Sequence, residues 1–274
     1  MTAGPDWVPP GIDTGKANIA RVYDYWLGGT SNFLADQDAA RALLALEPNA
    51  RGVARANRAF LGRAVRYLAG QEGIRQFLDI GSGIPTAGNV HEVAQETAPG
   101  CHVVYADVDE VVVAHSKLLL KDEPDTVAIQ ADLRQPEKIL ADSAVRAMID
   151  FGQPVALLLV AVLHFIPDED DPWRLVATLR EALAPGSYLV VCHACREARP
   201  ELAAPAEKAY EGRVRARAAI RTRAEILRFF GGFEILDPGL VYLPLWRPDS
   251  PAGIPEDPRK FWGLAGVGRL AGKS

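Results

Sequence analysis

The sequence predicts an α/β protein. It should be a mostly parallel sheet of seven strands with helices on both faces, closed by an antiparallel hairpin and preceded by a helical extension. Three observations carry this. Apolar runs at 76–80, 102–106, 126–130, 155–160 and 188–192 alternate with helix-length stretches, the pattern of strands joined by crossover helices. The first run ends in Asp79-Ile80-Gly81-Ser82-Gly83, a glycine turn between a buried strand and a helix expected to begin at Pro85-Thr86. Two later runs, 231–236 and 240–243, flank Asp237-Pro238-Gly239, and a Pro-Gly turn between apolar runs is a hairpin pattern.

In chain order, Met1-Thr2-Ala3-Gly4-Pro5-Asp6 has neither a basic nor an apolar leader region, which argues against secretion and for the cytoplasm. Residues 1–70 read as an N-terminal helical extension. Its first helix, 18–27, is dense in aromatics and stops at Gly28-Gly29, a helix-ending pair. Tyr23 and Trp26 either pack this extension on the main domain or lie over a ligand, where an aromatic face favours a cation. Residues 71–246 read as the core, with a helical insertion at about 196–230, and 247–274 as a tail packed on it. The run 155–163 is too short to span a bilayer and reads as a central strand. The net charge of −5, with no basic excess, argues against nucleic acid as a partner.

The glycine loop is the most specific signal. A dinucleotide fingerprint requires a third glycine where Thr86 stands, and a phosphate-cradling loop requires a Gly-Lys-Ser/Thr ending that is missing. Asp79 before the first glycine would repel a pyrophosphate but accept a hydrogen bond from an ammonium group. The loop therefore suits a zwitterionic or cationic nucleoside. The second strand ends at Asp107, with Val108 and Asp109 beyond, where an acid takes both hydroxyls of a ribose. The third ends in Ala131-Asp132-Leu133, where a side-chain acceptor meets an adenine amino group.

From about Phe77 to Trp246 these residues resemble the S-adenosylmethionine-dependent methyltransferases of the Rossmann-like fold. That signature is an acid, a Gly-x-Gly loop, a ribose-binding acid after the second strand and an Asp after the third. Pro85 stands where the family often carries a further glycine. The aromatic segment, Asn32 and Asn57-Arg58-Ala59-Phe60-Leu61 extend the likeness over nearly the whole chain. They resemble one family common in actinobacteria and long catalogued only as a domain of unknown function. The resemblance implies S-adenosyl-L-methionine as cofactor, held by Asp79, Gly81, Ser82, Gly83, Asp107, Val108, Asp109, Asp132, Leu133, Ala161 and Tyr23.

Methyl transfer from a sulfonium needs a base only where the acceptor must lose a proton early. His164 and His193, at the ends of the fourth and fifth strands, are the candidates. The chain lacks the Asn-Pro-Pro-Tyr and Pro-Cys patterns of nucleic-acid base methylation. Asp168, Glu169, Asp170 and Asp171 lie between Pro167 and Pro172, which reads as an acidic loop and helix cap rather than a metal site. Cys101, Cys192 and Cys195 form no ligand quartet, and Cys192-His193-Ala194-Cys195 sits on a strand tail instead of a helix start.

Residues 207–221 combine helix formers with Arg213, Arg215, Arg217 and Arg221, either a solvated face or an anion-attracting lid. Thr222-Arg223-Ala224-Glu225 is a capping box that starts a further helix. The expectation is a metal-independent methyltransferase acting on a small molecule. A non-catalytic binding protein is the alternative, and a nicotinamide-dependent oxidoreductase is disfavoured by Asp79 and the hairpin. The oligomeric state is not readable, and a homodimer is compatible with the sequence.

Overall fold

The computed structural model describes residues 13–85, 88–214 and 216–272. Met1 to Asp6, Thr86 and Arg215, which entered the expectations above, lie outside them.

Among the described residues three helices come first: α1 (Ile19–Leu27), α2 (Leu34–Leu46) and α3 (Ala50–Gly70). Local chemistry delimits α1. Asn18 Oδ1 accepts from the Ala20 N–H at 2.7 Å, and Gly28 ends the helix in the left-handed region. Then come β1 (Gln76–Ile80), α4 (Val90–Thr97), β2 (His102–Asp107), α5 (Glu110–Leu119), β3 (Thr126–Gln130), α6 (Pro136–Ala141), α7 (Ser143–Met148), β4 (Ala156–Val160), α8 (Pro172–Glu181) and β5 (Tyr188–Ala194). The five strands are parallel in the order β3-β2-β1-β4-β5. Every residue of β1 and β4 is buried, as expected for strands covered on both faces.

Side chains alternate across the sheet. Phe77, Val103, Leu158 and Val190 join the core under α3 and α4. Leu78, Val104, Leu157 and Val191 join the opposite core, under the α6–α8 side. A third, smaller core unites α1, α2 and α3 with α9 (Pro200–Arg213), through Val22, Trp26, Leu43, Ala54 and Ala209. The N-terminal extension and the insertion thus form one cap.

Three expectations need correction. The helix after the glycine loop begins at Val90, not Pro85, where Glu92 Oε2 accepts from the Asn89 N–H at 2.8 Å. Pro85 therefore precedes the helix instead of opening it. The basic run is not one helix, since α9 stops at Arg213 and Arg221 bridges to Cys195 in extended chain. The next helix, α10 (Arg223–Leu227), starts at the Thr222–Glu225 capping box as the sequence predicts.

The third correction concerns the sheet's end. The hairpin's two halves, β6 (Phe233–Ile235) and β7 (Val241–Tyr242), do not pair with each other. Both pair antiparallel with β8 (Gly263–Leu270), which runs between β5 and β6 and is also antiparallel to β5. Between Ile235↔Gly268 and Val241↔Ala265 one chain advances six residues and the other three. The Pro-Gly turn is thus a bulge in one interrupted strand, and the eight strands occupy seven positions. The antiparallel closure is as expected, but its inner member is the segment read as a tail.

Candidate functional site

The strand order reverses between β1 and β4, and ligands bind outside the carboxyl ends of strands at such a switch point. A cleft of about 590 Å³ opens there, roofed by α1, α3 and by Glu211, Val214, Ala216 and Arg217.

The glycine loop forms its floor. Gly81 has φ +73°, and a Cβ on it would stand 2.3 Å from Val162 Cγ2. No other residue fits without moving Val162. The Gly81 and Ser82 N–H groups donate to Ala106 O at 2.7 and 3.3 Å. Gly83 has φ +66°, with open space where a Cβ would be. Its N–H donates to Asp107 Oδ2 at 2.9 Å, while the Asp109 N–H donates to Asp107 Oδ1 at 3.0 Å. These amides orient the Asp107 carboxylate. Burial pushes its carboxyl up to about 6, and the backbone hydrogen bonds oppose the shift.

Asp79 lies at the other end of the loop and is buried. Burial pushes its carboxyl up to about 7; the nearby Arg58 guanidinium lowers it and Asp107 raises it. Its carboxylate takes no hydrogen bond from any described residue. Such a group favours a ligand that brings a donor or a positive charge. Arg58, on α3, lines the same cleft and holds Gly88 O at 2.9 Å through Nη2, while its Nε is buried without a partner among the described residues. Sequence reasoning singled out Arg58 only within a family resemblance. No local rule shows that a helix upstream of β1 crosses the strand ends.

Val108, Asp132, Leu133 and Ala161 all line the cleft. Burial raises the Asp132 carboxyl, but the Arg134 hydrogen bonds outweigh it and hold the group below its usual range. Arg134 Nη2 lies 2.6 Å from Asp132 Oδ2. Ala161 adopts φ +61°, sparsely populated for a residue with a side chain. Tyr23 also lines the cleft, donating its hydroxyl proton to Ala54 O at 2.9 Å, and burial pushes that phenol up to about 12. Trp26 does not reach the cleft. It packs in the cap with Nε1 donating to Ala40 O at 3.3 Å.

Other candidates have different tasks. Asp109 lies off the cleft: Oδ1 caps α5 by accepting from Val111 and Val112, and Oδ2 pairs with Arg21 Nη1 at 3.2 Å. His193 does not line the cleft. It is fully buried within β5, with Nδ1 2.7 Å from Ala194 O and Nε2 facing Arg221 Nη1 at 2.9 Å. The carbonyl fixes the proton on Nδ1, the guanidinium donates to Nε2, and burial holds the ring neutral. His164 stands behind the cleft, lining a second cavity. Burial, and then the Arg221 charge, lower its pKa to about 3, too weak a base for early proton removal near neutral pH.

The acidic loop is engaged elsewhere. Asp168 pairs with Arg221 at 2.5 Å, Glu169 with Arg217, and Asp171 caps α8. No cluster of metal-binding side chains occurs among the described residues. The three cysteines are buried and free. No described helix is long and apolar enough to cross a membrane.

Residues 5–271 match the model of a family described as S-adenosyl methyltransferase. The chain is similar to a candidate methyltransferase from Thermobifida fusca YX, with 43% identity, 97% of this chain and 100% of that one covered, and a TM-score of 0.91. It is similar also to a DUF574 family protein from Streptomyces avermitilis MA-4680, at 39% identity, 94% and 99% coverage and a TM-score of 0.90. An O-methyltransferase family protein from Burkholderia thailandensis is 11% identical, covering 84% of this chain and 63% of that one with a TM-score of 0.52, and shares the fold alone. No curated protein matches the sequence.

Proposed function

The chain belongs to the S-adenosyl methyltransferase family and is an S-adenosylmethionine-dependent enzyme, and from that premise we propose that it methylates a small-molecule acceptor in the cytoplasm without a metal ion. The observation that carries this reading is a cleft with two buried acids set on either side of bare glycine backbone. The residues fit the cofactor. Asp107, already oriented by two loop amides, would take the ribose hydroxyls. Asp79 would take the methionine ammonium and Arg58 its carboxylate. Val108, Leu133 and Asp132 would surround the adenine. Bound there, the cofactor supplies a methyl group on a sulfonium.

The protein's own part is positioning and exclusion of water. α1 together with Glu211, Val214, Ala216 and Arg217 closes the cleft from above, which favours a free small molecule over a polymer. The acids nearest to a metal pattern, Asp168 and Glu169, are held in ion pairs with arginines. A displacement at a sulfonium also needs no Lewis acid. The test is calorimetry and thermal melting with S-adenosylhomocysteine and NAD, followed by methyl transfer to a metabolite extract with chelator present. S-adenosylhomocysteine should bind and raise the melting temperature, NAD should do neither, and chelator should not lower turnover. NAD binding in place of S-adenosylhomocysteine would overturn the assignment.

A further inference from the structure

A second cavity of about 120 Å³ lies behind the cleft, between the cap, α9 and β5. The two share Ile19, Tyr23, Asn57, Ala161 and Phe165 as walls. Most of the inner lining is apolar, and an apolar cavity of about 150 Å³ is large enough to hold benzene. Two buried side-chain atoms in these walls, Asn57 Oδ1 and His164 Nδ1, have no hydrogen-bond partner among the described residues. A third, Glu47 Oε2, has Arg199 Nη1 at 3.6 Å.

The orientation of Asn57 follows from its neighbours. The single proton of the Tyr23 hydroxyl goes to Ala54 O at 2.9 Å. The Asn57 atom 2.9 Å from that hydroxyl must therefore be the donor, Nδ2. Oδ1 is then a bare acceptor on a side chain only 6% exposed. Buried acceptors of this kind are costly unless a donor meets them, and no described residue supplies one.

We propose that the inner cavity binds the methyl acceptor, a compact, ring-sized apolar molecule whose hydroxyl or amino group donates to Asn57 Oδ1. The proposal rests on the outer cleft holding the cofactor. His164 acts here as a neutral polar wall, since burial and Arg221 hold its pKa near 3. Tyr23 and Ala161 stand where the two compartments meet.

The experiment compares phenol with benzene on the whole protein, alone and saturated with S-adenosylhomocysteine. The readouts are calorimetry and the indole N–H resonances of Trp26 and Trp262, both in the inner walls. Phenol should shift both resonances saturably and bind about tenfold more tightly than benzene, with S-adenosylhomocysteine bound or not. Asn57→Leu should bring the ratio of the two affinities near one while benzene still binds. Ala54→Leu, which fills the cavity, should abolish both and change S-adenosylhomocysteine affinity less than threefold. The proposal falls if phenol leaves Trp26 and Trp262 unshifted, if its advantage survives in Asn57→Leu, or if it competes with S-adenosylhomocysteine. Failure of S-adenosylhomocysteine to bind at all would instead overturn the cofactor reading, and the phenol titration would still judge the cavity.

Discussion

At the scale of single residues, Asp79 sets a conflict between folding and binding. Its carboxyl is raised from 3.8 to about 7 chiefly by burial. A raised acid contributes stability below its unfolded pKa, and that contribution is lost as pH rises through the folded value. Asp79→Asn should therefore raise the melting temperature of the free protein at pH 8 and leave it nearly unchanged at pH 4. The same substitution should weaken S-adenosylhomocysteine by about 1.5–3 kcal/mol, the scale of a hydrogen bond to a charged group. Calorimetry on the wild type should show affinity falling as pH drops below about 7, and a flat profile from pH 5 to 8 would remove Asp79 from the ammonium. The two glycines separate in the same way. Gly81→Ala adds left-handed strain of about 1–2 kcal/mol and a clash with Val162, whereas Gly83→Ala adds the strain alone. Urea unfolding should show the larger loss for Gly81→Ala, while both weaken the cofactor.

At the scale of elements, Arg21 joins three of them. From α1 it pairs with Asp36 on α2 at 3.0 Å and with Asp109, the cap of α5, at 3.2 Å. Removing one partner of a buried ion pair costs about 3–5 kcal/mol, because the remaining charges are left uncompensated. Arg21→Met should cost that much in urea unfolding. It should also weaken S-adenosylhomocysteine, since the Asp109 amide holds Asp107; an unchanged affinity would make the tether purely structural. The stop of α1 and the start of α10 were legible in the sequence, because a cap depends on residues three or four apart. Asp109 looked there like a second cofactor ligand beside Asp107, because only a partner 88 residues away shows its other task. His193 misled for a similar reason: its strand-end position suggested access, and the buried Arg221 closes it.

For the molecule as a whole, β8 is the element on which closure of the sheet depends. Its sequence, Gly-Leu-Ala-Gly-Val-Gly-Arg-Leu, looked like a tail because glycine is a poor strand former. In the fold a Cβ on Gly266 would come within 3.1 Å of Phe230 Cζ, and one on Gly268 within 2.9 Å of Phe230 Cδ1. The glycines make room for the aromatic side chains that pack there. Ending the chain at Trp262 should abolish cooperative unfolding, read by circular dichroism and NMR dispersion. A cooperative, well-dispersed protein lacking β8 would contradict this role.

The sequence by itself determined the parallel core, the glycine loop, the two cleft acids, the end of α1 and the start of α10. Each is written in the spacing of a few neighbouring residues and the period of a single element. Tertiary structure alone decided which segment closes the sheet, which acid is free for a ligand, and that Arg58 and Asn57 from the cap reach the strand ends. Those outcomes depend on contacts between residues far apart in the chain, where side-chain volume and charge select partners that no local pattern records.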